Sequence, residues 1–105
     1  MVDRVTICKG CRGAAGERLA ARLALSLGLI AEVRLAECLN ACGRPLALSV
    51  RAEGKAAYLF GGVEADQDAD ILAFAALYRE APLGEVADAR ACGRLRHCLL
   101  GRIPA

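Results

Sequence analysis

The sequence has no tryptophan, and only four of its residues are aromatic: Tyr58, Phe60, Phe74 and Tyr78. Hydrophobic residues still make up 56% of the chain, but alanine supplies much of that share, so the predicted core is aliphatic and thin. At 105 residues the chain has the length of one small domain, and we predict a single domain over residues 1–105. A bound metal would help to stabilise a core of this kind.

Long apolar runs are also missing. The longest one, residues 23–31, is about half of the ~20 residues that a membrane-spanning helix requires, so we predict no membrane segment. The first ten residues carry Asp3, Arg4 and Lys9 and have no apolar core of the kind found in secretion signals. We therefore expect a cytoplasmic protein.

The charge is weak and dispersed. The formal net charge is +2, and the basic residues are mostly arginines spread among acids. Without a concentrated basic patch interleaved with aromatic residues, the sequence argues against nucleic-acid binding. The C-terminal arginines, Arg90, Arg94, Arg96 and Arg102, could attract an acidic redox partner, and the alternative is a solvated helix face.

The first third of the chain predicts a strand–helix–strand unit. Residues 2–8 are rich in β-branched side chains and predict a strand. In residues 30–38 polar and apolar side chains alternate weakly, which predicts a second strand. Between them, residues 14–29 repeat apolar side chains at helical spacing, namely Leu19, Leu23, Leu27, Ala20 and Ala24. Because such a crossover is right-handed, the two strands should be parallel, and their carboxyl ends should meet at one edge of the sheet.

The remainder predicts a hairpin and a helix. Residues 46–60 split at Glu53-Gly54, a pair suited to a hairpin turn. Residues 64–80 begin with acids and place Ile71, Phe74, Ala75 and Tyr78 on one helical face. Residues 83–105 form an extension in which 86–100 could be a third helix. The predicted fold is an α/β, thioredoxin-like sandwich of order β-α-β-β-β-α with a C-terminal helical extension.

Four of the six cysteines follow the first two predicted strands in close pairs. Cys8 and Cys11 come at the end of strand one, and Cys38 and Cys42 come at the end of strand two. If the strands are parallel neighbours, all four thiols gather at the sheet edge where α/β folds place their sites. In a reducing compartment such pairs favour metal or redox chemistry over structural disulfides. Four thiolates fit tetrahedral zinc or a 2Fe-2S cluster, and the spacing does not choose between them.

The stretches "CLNACGRPLALSV" and "GKAAYLFGGVEADQDADILAFAALY" resemble the thioredoxin-like 2Fe-2S ferredoxins and the related small subunit of respiratory NADH dehydrogenases. The shared pattern, over roughly residues 2–79, is a C-x3-C loop, a proline before a strand, a glycine hairpin, a "GGV" turn and an amphipathic helix. The whole chain also resembles a small bacterial family described as predicted metal-binding proteins.

The ferredoxin resemblance implies that Cys8, Cys11, Cys38 and Cys42 bind a 2Fe-2S cluster. It implies single-electron transfer with a reductase or an acceptor enzyme as partner, and no enzymatic activity of the protein itself. Ferredoxins of this type often pair, so a homodimer is an open alternative. The sequence departs from the family in one respect, since the family usually places more residues between its first two ligands than separate Cys8 and Cys11.

Two other functions use the same cysteines. A zinc-binding structural or metal-delivery module would use all four. A thiol–disulfide oxidoreductase would use Cys8 as nucleophile and Cys11 as resolving thiol, with Pro45 near the position of the active-site proline, but it leaves the second pair unexplained. Lys9, Arg12 and Arg44 adjoin the predicted ligands and would favour a reduced cluster. We interpret Cys92 and Cys98 as packing residues and His97 as a surface residue, with metal ligation by His97 as the alternative.

Overall fold

The fold is a five-stranded sheet with its helices on one face. The computed structural model describes residues 3–8, 15–28, 30–36, 46–64 and 66–105. Its strands are β1 (Asp3–Cys8), β2 (Ala31–Ala36), β3 (Leu48–Arg51), β4 (Ala57–Phe60) and β5 (Leu99–Ile103), and its α-helices are α1 (Ala15–Leu27) and α2 (Asp68–Glu80). The strand order is β2-β1-β3-β4-β5. This mixed α/β architecture is compatible with a thioredoxin-like sandwich and confirms the predicted fold class.

The β1–α1–β2 unit has the predicted parallel strands. β1 and β2 are parallel neighbours in register, with Val5 opposite Val33, and every other pairing in the sheet is antiparallel. On α1, the three leucines of the predicted stripe and Ala20 are buried. Ala24 is exposed, so the predicted stripe is correct for the leucines and too wide by one alanine. Gly28, with φ of +46°, follows the last helical residue.

The β3–β4 hairpin closes where the sequence predicts it. The Lys55 amide donates a 3.1 Å hydrogen bond to the carbonyl of Ala52, and Gly54 has a φ of +77°, a conformation that glycine adopts without steric cost. The Lys55 ammonium in turn donates a 2.9 Å hydrogen bond to the carbonyl of Tyr78. Since that carbonyl belongs to the last turn of α2, the hairpin holds the C-terminal end of the helix.

The C-terminal extension differs from the prediction. A 3-10 segment, Arg90–Cys98, takes the place of most of the expected third helix, and Gly93 interrupts it with φ +57° and ψ −131°. Beyond it the chain forms β5, which pairs antiparallel with β4. The α-helix fails because the Gly93 backbone is not helical, and the backbone groups of β5 pair with β4 instead. Cys92 and Leu95, one on each side of Gly93, are both buried.

The core lies between the helices and one face of the sheet. Buried residues alternate along the central strands, as Val5 and Ile7 do in β1. All four aromatic side chains pack together, and the Phe74 ring centroid lies 5.0 Å from that of Tyr58 and 5.1 Å from that of Phe60. The core is therefore not purely aliphatic, because the few aromatic residues are concentrated at one place.

Tyr78 joins this cluster to the hairpin. Its hydroxyl donates a 2.7 Å hydrogen bond to the buried carbonyl of Ala56, and the residue is fully buried. Burial, reinforced by the negative charge of Asp3, raises the pKa of Tyr78 from 10.0 to about 12. The phenol therefore stays neutral and keeps donating this hydrogen bond over a wide pH range.

The opposite face of the sheet is polar over β1, β2 and β3. Six residues on this face are half-buried or exposed, namely Arg4, Thr6, Glu32, Arg34, Ser49 and Arg51. No helix among the described residues has the length and apolar character needed to cross a membrane.

Candidate metal site

Cys8 ends the strand that runs between β2 and β3. Its amide donates a 2.9 Å hydrogen bond to the carbonyl of Ala47, and on the other side it stands opposite Ala36 in the parallel register. Only 1% of the residue is exposed. The first predicted ligand is therefore buried and held from both sides by neighbouring backbone.

The strands that precede the two cysteine-bearing segments, β1 and β2, end side by side. Residues 9–14 follow Cys8, and residues 37–45 follow Ala36, which is the register partner of Cys8. Adjacent strands in a sheet are about 4.8 Å apart, so the two departure points are neighbours. The other predicted ligands, Cys11, Cys38 and Cys42, lie outside the described residues, as do Lys9, Arg12, Arg44 and Pro45.

The chain that follows the second cysteine segment is tied to Cys8. Leu46 and Ala47 are fully buried, and Ala47 accepts the Cys8 hydrogen bond described above. The Val63 amide donates a 3.1 Å hydrogen bond to the carbonyl of Leu46. Val63 is the last residue of the "GGV" turn, so this turn holds the two residues that precede β3, one of which bonds to Cys8.

The first turn of α1 also lies against Cys8, a contact that sequence reasoning missed. A Cβ atom added at Gly16 would lie 2.4 Å from the carbonyl oxygen of Cys8, well inside van der Waals contact. The only local signal was a glycine in the first turn of a helix, where alanine is the more favourable residue. That signal indicates a close approach without naming the partner.

Comparison with known proteins assigns the chain to a family. The model described as "Protein of unknown function (DUF1636)" matches residues 5–105. The chain belongs to this family. No curated protein and no solved structure matches it.

Cys92 lies in the hydrophobic core, in the 3-10 segment that packs against α2. The residue is fully buried. Burial raises the pKa of the Cys92 thiol, and the carboxylates of Asp70 and Asp88 add to the effect. Because metals bind the thiolate form, these surroundings suit a packing residue, as the sequence interpretation expects.

Cys98 and His97 lie at the start of β5, which β3 and β4 separate from β1. The sulfur of Cys98 is 3.6 Å from the carbonyl oxygen of Arg94 and 3.8 Å from that of Gly62. His97 is exposed, and its Nε2 accepts a 3.2 Å hydrogen bond from Arg96. Over the part of the chain that the structure describes, no three histidine, cysteine or acidic residues are grouped so that they could hold a metal ion.

The C-terminal arginines are largely paired within the chain. Arg90 contacts Asp88 at 2.8 Å, and Arg94 contacts Asp66 at 3.4 Å. The hydrogen bond between Arg90 and Asp88 lowers the pKa of Asp88 and raises the pKa of Arg90. These carboxylates offset the positive charge that the sequence places in this region, so the extension is a weaker attractant for acidic partners than its arginine count indicates.

A cleft of about 360 Å³ lies beside the extension. It is lined by Tyr58, Glu85, Val86, Ala87, Leu99 and Arg102. The hydroxyl of Tyr58 accepts a 3.0 Å hydrogen bond from the Val86 amide, and Glu85 and Arg102 form an ion pair at 3.5 Å. Its polar groups therefore already have partners, and the cleft does not include Cys8.

Proposed function

We propose that the protein is a ferredoxin-like electron-transfer protein that binds a 2Fe-2S cluster through Cys8, Cys11, Cys38 and Cys42. The observation that carries the proposal is the parallel register of β1 and β2, in which Cys8 stands opposite Ala36. One cysteine pair begins at the first position, and the other begins just beyond the second. The resemblance of the sequence to thioredoxin-like ferredoxins supports the same ligand set.

The covalent reach of the chain is sufficient. A chain extends at most about 3.6 Å per residue, so the Cα of Cys38 is within about 7 Å of the Cα of Ala36. By the same limit, the Cα of Cys11 is within about 11 Å of the Cα of Cys8. Two pairs with these limits can meet at one edge of the sheet, which matches a cluster whose irons each take two thiolates.

The donor set fits the cofactor. Cysteine thiolates are the ligands of 2Fe-2S clusters, and when bound the cluster supplies a one-electron redox couple. The chain's own contribution is to hold the thiolates and to control solvent access, and the burial of Cys8 excludes water from the first ligand. Hydrogen bonds and burial around the sulfurs set the reduction potential. On this proposal the protein passes electrons between a reductase and an acceptor enzyme in the cytoplasm.

The burial of Cys8 argues against the oxidoreductase alternative. A nucleophilic cysteine must be accessible to the disulfide that it attacks, and Cys8 is 1% exposed. The zinc alternative uses the same four thiolates, so the metal itself has to be identified.

Anaerobic purification followed by metal analysis tests the proposal. We expect red-brown protein with about two irons per chain and an electron-spin resonance signal after reduction by dithionite. Colourless protein with one zinc per chain would replace the cluster by a zinc module. Protein that takes up neither metal and whose Cys8 reacts rapidly with a disulfide would favour the oxidoreductase.

A further inference from the structure

The contact between Gly16 and Cys8 is made by backbone. A Cβ at Gly16 would lie 2.4 Å from the carbonyl oxygen of Cys8 and 3.4 Å from its carbonyl carbon. It would also lie 3.4 Å from a terminal methyl of Leu46. The nearest obstacle is not the end of a flexible side chain, so a side chain at position 16 requires the backbone of one segment to move.

The conformation of Gly16 does not itself require glycine. The residue lies within α1 and does not have a positive φ. Glycine costs a helix about 0.5–1 kcal/mol relative to alanine, so helix stability would favour alanine here. The close approach to Cys8 is therefore the physical reason for glycine at this position.

Both partners of the contact are anchored elsewhere. Cys8 is hydrogen-bonded to Ala47 and lies between two strands, as described above. Helix α1 is held by its buried leucines and by a bidentate ion pair, in which Arg22 donates to Asp68 at 2.9 and 3.1 Å. Any displacement caused by a side chain at position 16 therefore falls on the end of β1 and the start of α1.

These two places are the ends of the segment that carries Cys11. Residues 9–14 join Cys8, the last residue of β1, to Ala15, the first residue of α1. The contact of Gly16 with Cys8 brings the two ends of this segment together.

We infer that Gly16 is a positioning residue of the proposed metal site, whose close approach to the Cys8 carbonyl fixes the end of β1 that carries this proposed ligand. The inference rests on the proposed function.

The test compares Gly16→Ala with two controls. Gly101→Ala makes the same change where an added Cβ has no atom within 4 Å, and Ala20→Gly weakens the same helix at a buried position one turn beyond Gly16. Each protein is reconstituted anaerobically with ferrous iron and sulfide. The measurements are iron per chain, the rate of iron loss to a chelator, the electron-spin resonance spectrum and the rise in Tm on reconstitution.

We expect Gly16→Ala to lose iron about 10- to 100-fold faster than wild type, the range typical of residues that orient metal ligands. Its spectrum should change, and its Tm should rise less on reconstitution, because weaker binding stabilises the folded state less. Both controls should keep wild-type rates and spectra. A merely structural role would lower Tm equally with and without the metal.

The inference is overturned if Gly16→Ala has the wild-type rate and spectrum, or if Ala20→Gly loses iron as fast as Gly16→Ala does. A Gly16→Ala protein that never folds, with or without iron, also overturns it, because Gly16 would then serve the whole fold. If wild type binds zinc instead, the cluster is wrong, and the same comparison with a zinc chelator decides the role of Gly16. Wild type that binds neither metal removes both proposals.

Discussion

Cys8 and Cys92 are equally buried, at 1% and 0% exposure, yet their surroundings differ. Cys8 ends a central strand and stands opposite Ala36, the last residue of β2. Cys92 lies in the 3-10 segment, where burial and the carboxylates of Asp70 and Asp88 raise its pKa. Burial alone therefore does not separate a proposed metal ligand from a packing residue, and the two cysteines differ instead in their position in the fold.

We expect the largest change in iron binding from removing the Cys8 thiol, and none from removing the Cys92 thiol. Cys8→Ala should abolish iron binding after anaerobic reconstitution, because a cluster that loses one of four thiolates is incompletely held. Cys92→Ala makes the same chemical change and should keep the wild-type iron content. Iron analysis and the visible spectrum check both. Equal iron content in the two variants would contradict the proposal that Cys8, unlike Cys92, is a cluster ligand.

Gly93→Ala should destabilise the Cys92 region and leave the Cys8 edge intact. The φ of Gly93 is +57°, and an added Cβ would lie 2.6 Å from a carboxylate oxygen of Asp70. We expect a loss of about 2–3 kcal/mol in the free energy of unfolding, measured by urea denaturation. The iron content of the folded protein should be unchanged, and a loss of iron would show that the two regions are coupled.

Tyr78→Phe should cost about 1–3 kcal/mol at neutral pH, because it leaves the buried carbonyl of Ala56 without its donor. The variant also tests the raised pKa. In wild type the stabilising contribution of Tyr78 is complete below pH 10 and is lost as the pH rises through about 12. Denaturation curves across this range should show a decline in wild type that is smaller in the variant. Parallel pH profiles would contradict the assignment.

The smallest effect is expected from the titration of Cys92. Its folded-state pKa is raised above 9.0, so the folded protein keeps this proton when the unfolded chain releases it. The stabilising contribution is therefore complete below pH 9 and declines above it. The difference in unfolding free energy between wild type and Cys92→Ala should shrink as the pH rises past 9. A constant difference would mean that the thiol titrates normally.

The sequence was sufficient to predict most of the fold because its signals there are local. The leucine spacing in α1, the Glu53-Gly54 turn and the apolar face of α2 each lie within one element. The fifth strand was missed because its partner, β4, is distant in the chain, and nothing within Leu99–Ile103 distinguishes a strand from the end of a helix. Gly93, whose backbone is not helical, likewise lies against Asp70, a residue distant in the chain.

The candidate site also has features that the sequence predicts and one that it does not. The cysteine pairs and the strand ends that precede them are readable from the sequence, and the parallel crossover follows from handedness. The approach of Gly16 to the Cys8 carbonyl was not readable, because it depends on how closely α1 packs on β1. The metal-binding roles of Cys8, Cys11, Cys38 and Cys42 stay predictions.

The central place of β1 also affects how the protein would behave in hydrogen-exchange experiments. The Cys8 amide is bonded to Ala47 within a strand that has a neighbour on each side, and amides of this kind exchange with solvent mainly through large-scale opening of the fold. The backbone that holds Cys8, the first proposed ligand, would then persist for as long as the protein stays folded. Loss and recovery of a cofactor at this edge could proceed as local events, without a cycle of global unfolding.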